Sequence, residues 1–119
     1  MRTLLAGCVL LFSLSAAAAE VDQTAAVQAL AEPKTLLIDV RTAEEFAEGA
    51  LPGASRIGYE QIDTQIASLT SDKDTPIVLY CRSGRRSGIA QDELRKLGYT
   101  HVINAGGYQE LKTALALED

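Results

Sequence analysis

The 119-residue sequence holds one histidine and two cysteines, and that scarcity closes off several kinds of chemistry at once. A histidine-rich metal site has too few ligands. A Cys–His catalytic pair would rest on His101 alone, which begins a strand far along the chain from Cys81. Basic charge is also in short supply: eleven Lys and Arg stand against sixteen Asp and Glu, a net charge of -5 that argues against nucleic acid as a partner. Internal repeats, low-complexity tracts and long linkers are missing too. The longest hydrophobic run, about eleven residues near the N-terminus, falls short of the roughly 20 that a spanning helix needs.

That run has a different reading. "MRTLLAGCVLLFSLSAAAAE" places one arginine before an apolar core and a run of alanines, the layout of a secretory signal peptide cleaved after Ala19. Leu5-Ala6-Gly7-Cys8 has the look of a lipoprotein lipobox, but there the apolar core precedes the cysteine, and here most of it follows Cys8. The expected organisation is a signal peptide at 1–19 and one domain at 20–119, periplasmic and free of the membrane once cleaved. Cleavage leaves ten bases against sixteen acids, a net charge of -6. It also leaves Cys81 as the one cysteine, so no internal disulfide can form. An odd cysteine in an exported chain suggests intermolecular pairing or a reactive free thiol, or else is a buried inert residue, and its position must decide.

The remaining 100 residues alternate helix and strand. Val27, Leu30 and Ala31 recur at helical spacing before Pro33, and "TLLIDV" at 35–40 reads as a continuous apolar strand. Thr42 and Glu45 have capping-box spacing for a short helix ended by Gly49. After a Pro52-Gly53 turn and a short strand near Arg56 and Ile57, residues Ile62, Ile66 and Leu69 share one helical face. "TPIVLY" at 75–80 is the second strong strand. A helix from Ser87 carries Ala90, Leu94 and Leu97 until Gly98, strand "HVIN" follows at 101–104, and Gly106-Gly107 turns into a last helix with Leu111 and Leu115. Wholly apolar strands alternating with helices predict an α/β fold, a mainly parallel sheet covered on both faces. Ligands of such folds bind at the carboxyl ends of the strands, where Cys81 falls.

"LYCRSGRRSG" at 79–88 gathers three arginines and two glycines behind that thiol. A strand, a short polar loop and a helix start can converge their N–H groups on one point and form an anion-binding nest, with Gly84 free to adopt unusual backbone angles. The helix N-terminus and Arg82, Arg85 and Arg86 would favour the thiolate, making Cys81 a nucleophile for an anionic substrate. Ser83 and Ser87 can donate hydroxyl hydrogen bonds there or serve as turn and N-cap residues. Asp39 and Arg41 should lie at the same sheet edge as loop support, Asp39 accepting from neighbouring loops and Arg41 paired with a carboxylate. Tyr108 either lines the rim or fills the core. Cysteine phosphatases and arsenate reductases carry C-x5-R-[S/T], whereas Cys81 to Ser87 is C-x4-R-S, one residue shorter.

The whole body of the chain resembles a single-domain rhodanese, a sulfurtransferase. "LIDVR" at 37–41 with Glu44, Glu45 and Phe46, "EGALPGA" at 48–54, "CRSGRRSG" at 81–88 and "LGYTHVINAGG" at 97–107 carry the likeness. With the signal peptide, the particular similarity is to the exported phage shock protein E group. Ala50 stands where that family often has histidine, a position that is usually structural. The resemblance implies a three-layer rhodanese-like domain and a double displacement: the Cys81 thiolate takes the outer sulfur of thiosulfate, then passes it from a persulfide to cyanide or a thiol acceptor. Residues 82–87 would form the binding loop, with Arg86 closing it around the anion and Arg82 and Arg85 attracting the donor at the rim. No cofactor or metal is implied, and a chain of this size can act as a monomer. The alternative is a persulfide-carrying or redox-sensing module that docks to an exported partner.

Overall fold

The computed structural model describes residues 20–117; the segment read as a signal peptide lies outside them. Four strands, β1 (Leu36–Asp39), β2 (Ser55–Arg56), β3 (Ile77–Cys81) and β4 (Val102–Gly107), form one sheet in the order β2-β1-β3-β4. Every pairing is parallel. The helices are α1 (Gln23–Leu30), α2 (Ala43–Ala47), α3 (Ile62–Gln65), α4 (Arg85–Lys96) and α5 (Tyr108–Ala114). This is the α/β architecture that the continuous apolar strands predict.

The period-two alternation of strand side chains divides the interior in two. Ile77, Leu79 and Cys81 of β3 point to one face, with Ile38, Ile62, Ile66, Ala90 and Leu94. Val78 and Tyr80 point to the other, with Leu37, Ala26, Ala105 and Leu111. The central strand β3 is buried along its whole length, so neither face could tolerate polar alternation. The same alternation sends the Cys81 side chain toward α4 and the Tyr80 side chain toward α1 and α5.

Local differences from the sequence reading have physical causes. The stripe of Ile62, Ile66 and Leu69 breaks after Ile66, because α3 gives way to a 3-10 turn at Ile66–Ser68 whose tighter winding carries Leu69 out to solvent. Leu97 is likewise exposed, since it follows the last residue of α4 where the chain turns into Gly98. In α1 the buried residue is Ala26, and Ala31 is the exposed C-cap. Helix α4 starts two residues before the expected Ser87, capped by Gly84 with a positive φ of 104°. Strand β4 continues through the glycines expected to form a turn: Leu79 pairs with Asn104 and Cys81 with Gly107, so β4 carries one extra residue in a bulge at Gly106, whose φ is 89°. A glycine pair there serves a strand bulge, which composition alone does not separate from a turn.

Leu94 is completely buried between α4 and the sheet. Leu94→Ala is expected to lower the unfolding free energy by about 3 kcal/mol, within the range for leucine truncation in a closed core. Urea unfolding followed by circular dichroism checks this, with the midpoint falling and the slope unchanged.

Candidate active site

Cys81 is the last residue of β3 and has no exposed surface. Four residues later the chain is already helical, so Ser83, Gly84 and the first turn of α4 curl back over the sulfur. The Gly84 N–H donates to Sγ at 2.9 Å. The Ser87 Oγ lies 3.4 Å from Sγ. Burial pushes the Cys81 thiol up, but hydrogen bonds from the Ser87 side chain and from the backbone N–H groups of Ser87, Gly84 and Ser83 outweigh it, so the pKa falls below the ordinary thiol value. The hydrogen bonds do the lowering, and of the three arginines expected to share this work Arg86 has a charge interaction with Cys81.

The three arginines separate. Arg82 and Arg85 are exposed at the rim and form no ion pair with another described residue. Arg86 turns to Glu45 of α2, donating to Oε1 at 3.0 Å and Oε2 at 3.2 Å. Glu45 is held in place by the capping box that the sequence suggested, accepting from the Thr42 N–H while its own N–H donates to Thr42 Oγ1. The Arg86 guanidinium and these Thr42 bonds outweigh partial burial and lower the Glu45 pKa from 4.5 to about 2. Arg86 therefore holds the loop through a carboxylate, and its charge is largely answered before any anion arrives.

Asp39 ends β1 in register with Tyr80, the residue before Cys81. Its carboxylate accepts from Arg41 and, among the described residues, not from a neighbouring loop as expected; Arg41, paired with that carboxylate, is the residue that reaches another loop. Arg41 donates to Asp39 through its backbone N–H at 2.9 Å, Nε at 3.0 Å and Nη2 at 2.7 Å, and Nη2 also reaches the Gly49 carbonyl at 2.7 Å. Its guanidinium stacks over the Tyr108 ring at 4.6 Å and the Tyr80 ring at 5.6 Å. Burial alone would lower the Arg41 pKa, and the Asp39 hydrogen bonds and charge reverse that, so it is raised. Tyr108 both stacks inward and lines a cleft of about 390 Å³ with Arg41, Glu45, Glu48, Gly49, Arg82 and Gln109. His101 is exposed beside the start of β3, at the opposite end of the sheet from Cys81.

Sequence reasoning missed Asn104, which is fully buried on β4. Its Oδ1 accepts from Ser87 Oγ at 2.7 Å and from the Gly106 N–H at 2.9 Å, and its Nδ2 donates to the Gly84 carbonyl at 3.0 Å. An asparagine after two apolar strand residues gives no local signal of this; only the strand register brings it against the loop.

Residues 22–114 match the family model described as "Rhodanese-like domain". The chain belongs to the rhodanese-like family. Among similar proteins, the thiosulfate sulfurtransferase PspE of Escherichia coli is 39% identical over 74 residues, covering 62% of this chain and 71% of PspE. The thiosulfate:glutathione sulfurtransferase of Homo sapiens is 34% identical, covering 68% of this chain and 82% of that protein. Among solved structures, the human single-domain sulfurtransferase TSTD1 aligns with a TM-score of 0.66 at 30% identity, covering 86% of this chain and 99% of that one. A rhodanese with anions from E. coli gives 0.62 at 38% identity, covering 64% of this chain and 89% of that one.

In this rhodanese-like domain the Glu45–Arg86 bridge gives a pH signature. The Glu45 pKa lies below its unfolded value, so its stabilisation is complete above about pH 4.5 and is lost as pH falls toward about 2. Glu45→Gln should lower stability by up to about 1 kcal/mol at pH 7, as a partly exposed pair warrants, and the difference should shrink across that acid window. Urea unfolding of both proteins at pH 7, 4 and 3 checks it.

Proposed function

We propose that this chain is a thiosulfate sulfurtransferase working by double displacement through a persulfide on Cys81. The observation that carries the reading is the sulfur itself: a buried thiol whose hydrogen bonds, led by the Ser87 side chain and including the Gly84 N–H at 2.9 Å, favour its anion. The names of two relatives, a thiosulfate sulfurtransferase and a thiosulfate:glutathione sulfurtransferase, support the same donor and a thiol acceptor.

In the first half-reaction the Cys81 thiolate attacks the outer sulfur of thiosulfate. A new S–S bond forms, the old one breaks, and its electron pair leaves with sulfite. The persulfide left on Cys81 is again an anion at the centre of the Ser83, Gly84 and Ser87 donors. In the second half-reaction cyanide or a thiolate attacks the terminal sulfur and leaves as thiocyanate or a new persulfide, returning the Cys81 thiolate. Arg82 and Arg85, exposed and unpaired with any described carboxylate, are placed to draw in a doubly negative donor. Charge and sulfur balance at each half, so the protein alone suffices as carrier. The N-terminal signal-peptide pattern supports action in the periplasm after cleavage, as a single domain beginning near residue 20.

Intact mass of the purified protein before and after thiosulfate tests the reading. A gain of one sulfur atom, about 32 Da, removed by cyanide and missing in Cys81→Ser, is the expected result of a covalent carrier. Steady-state rates should then follow ping-pong kinetics. No gain on a free, reduced thiol would sink sulfur transfer from thiosulfate and favour the partner-docking module, for which persulfide-dependent trapping of an exported protein is the measurement.

A further inference from the structure

Two groups stand at the Cys81 sulfur within hydrogen-bond distance, the Gly84 N–H and the Ser87 hydroxyl. Neither is fixed by its own residue alone. Asn104, from the neighbouring strand, donates to the carbonyl of Gly84 and accepts from the hydroxyl of Ser87. Its orientation is settled independently: Oδ1 also accepts from the Gly106 N–H, which a carboxamide turned the other way could not do. It sits just before the bulge of β4, with its backbone carbonyl accepting from the Asp22 N–H at 2.9 Å. One buried side chain is therefore a single bond away from the Ser87 hydroxyl and holds the carbonyl of the residue whose N–H meets the sulfur.

We propose that Asn104 is a positioning residue for the sulfur anion, holding the Gly84 carbonyl so that the Gly84 N–H stays aimed at whatever negative sulfur Cys81 carries, and parking the Ser87 proton while Cys81 is a thiol. The persulfide part of this rests on the sulfurtransferase reading; the thiolate part does not. The Ser87 hydroxyl has one proton and two acceptors within reach. While Cys81 is a thiol, the S–H donates to Ser87 Oγ, whose proton lies on Asn104 Oδ1. When the thiol proton leaves to water, the hydroxyl swings its proton to the sulfur anion, and Oδ1 keeps the Gly106 N–H, so no buried acceptor is orphaned by the turn.

Loss of Asn104 would act on both states in opposite senses. The thiol would lose one neutral hydrogen bond in the chain through Ser87. The anion would lose the aim of one charge-assisted bond, that from the Gly84 N–H, roughly twice as strong as a neutral one, so the anion loses more. Other charges near the thiol are Arg86 on α4, Glu45 of α2 that answers it, the exposed Arg82 and Arg85, and the mutually paired Asp39 and Arg41 after β1. Strand β4 brings no titratable group, so Asn104 acts by hydrogen bonding alone.

The test is the rate of Cys81 alkylation by iodoacetamide against pH, which needs no sulfur donor. Asn104→Ala is expected to raise the midpoint and to slow alkylation at pH 7 roughly threefold to tenfold, the equivalent of about one hydrogen bond at the sulfur. In a Ser87→Ala background the same change should raise the midpoint further, because the opposing loss on the thiol side runs through that hydroxyl and is already gone. An unchanged or lowered midpoint, or strict additivity of the two substitutions, overturns the proposal. Should Asn104→Ala fail to fold, NMR of the unmodified protein decides: the Asn104 carboxamide resonances should move with the Cys81 midpoint, and this movement should vanish in Ser87→Ala. Carboxamide resonances static through that titration refute the role. Persulfide formation measured by mass is a separate result, so a failed sulfur transfer and a failed Asn104 role are distinguishable.

Discussion

The 2.9 Å hydrogen bond from the Gly84 N–H to the Cys81 sulfur, with the Ser87 hydroxyl beside it, decides what kind of residue Cys81 is. A cysteine with no exposed surface at the end of a core strand would ordinarily be a small apolar side chain with a raised pKa. Burial does act in that sense here, and it is the largest single influence on the group. Several donors from one short loop together exceed it. Desolvation then works for the chemistry: water that could solvate the anion is excluded, and the fixed N–H groups that replace it need no reorganisation when the charge forms.

Those donors converge because the loop has nowhere else to go, and the glycines show why. A Cβ on Gly84 would meet the Val21 side chain at 3.1 Å, and one on Gly106 would meet it at 3.0 Å, while both backbones hold positive φ. The loop, the bulge of β4 and the segment before α1 are thus pressed together at one point. Val21 bridges to Asn104 as an isolated parallel pair, which extends the support to the first described residues of the chain. The geometry around the sulfur is set from behind by β4, and from the side by the Glu45–Arg86 bridge to α2.

This division explains what could be read in the sequence. The thiol, the loop length, the capping box and the strands that hold them are local patterns, each carried by a few consecutive residues, and they reach the fold and the centre of the site. Contacts across many residues carry no such mark. Glu45 was legible as a helix cap but not as the partner of Arg86, 41 positions away. Asn104 sat in view within "HVIN", in regular register with Leu79, and its role depends on the bulge after it, which sets Gly107 opposite Cys81 and turns the Gly106 N–H onto Oδ1. Leu69 and Leu97 had the right spacing for burial and failed it because the helices ended where helical phase no longer applies.

The placement of charge follows the same logic. Three arginines within five positions look like one basic patch on an acidic chain, yet the fold gives them different work. Arg86 is neutralised by Glu45 and ties α4 to α2, much as Arg41 is neutralised by Asp39 and ties the end of β1 to the Gly49 turn. What remains to meet an incoming anion is Arg82 and Arg85, long side chains at the rim with their heads in water. Charges so placed act at a distance and are screened by salt, so they can raise the local concentration of a small anion but cannot grip it. Holding the anion is left to the backbone donors around Cys81, which carry no net charge. A site that attracts with mobile charge and binds with fixed dipoles can admit one small anion and let another leave.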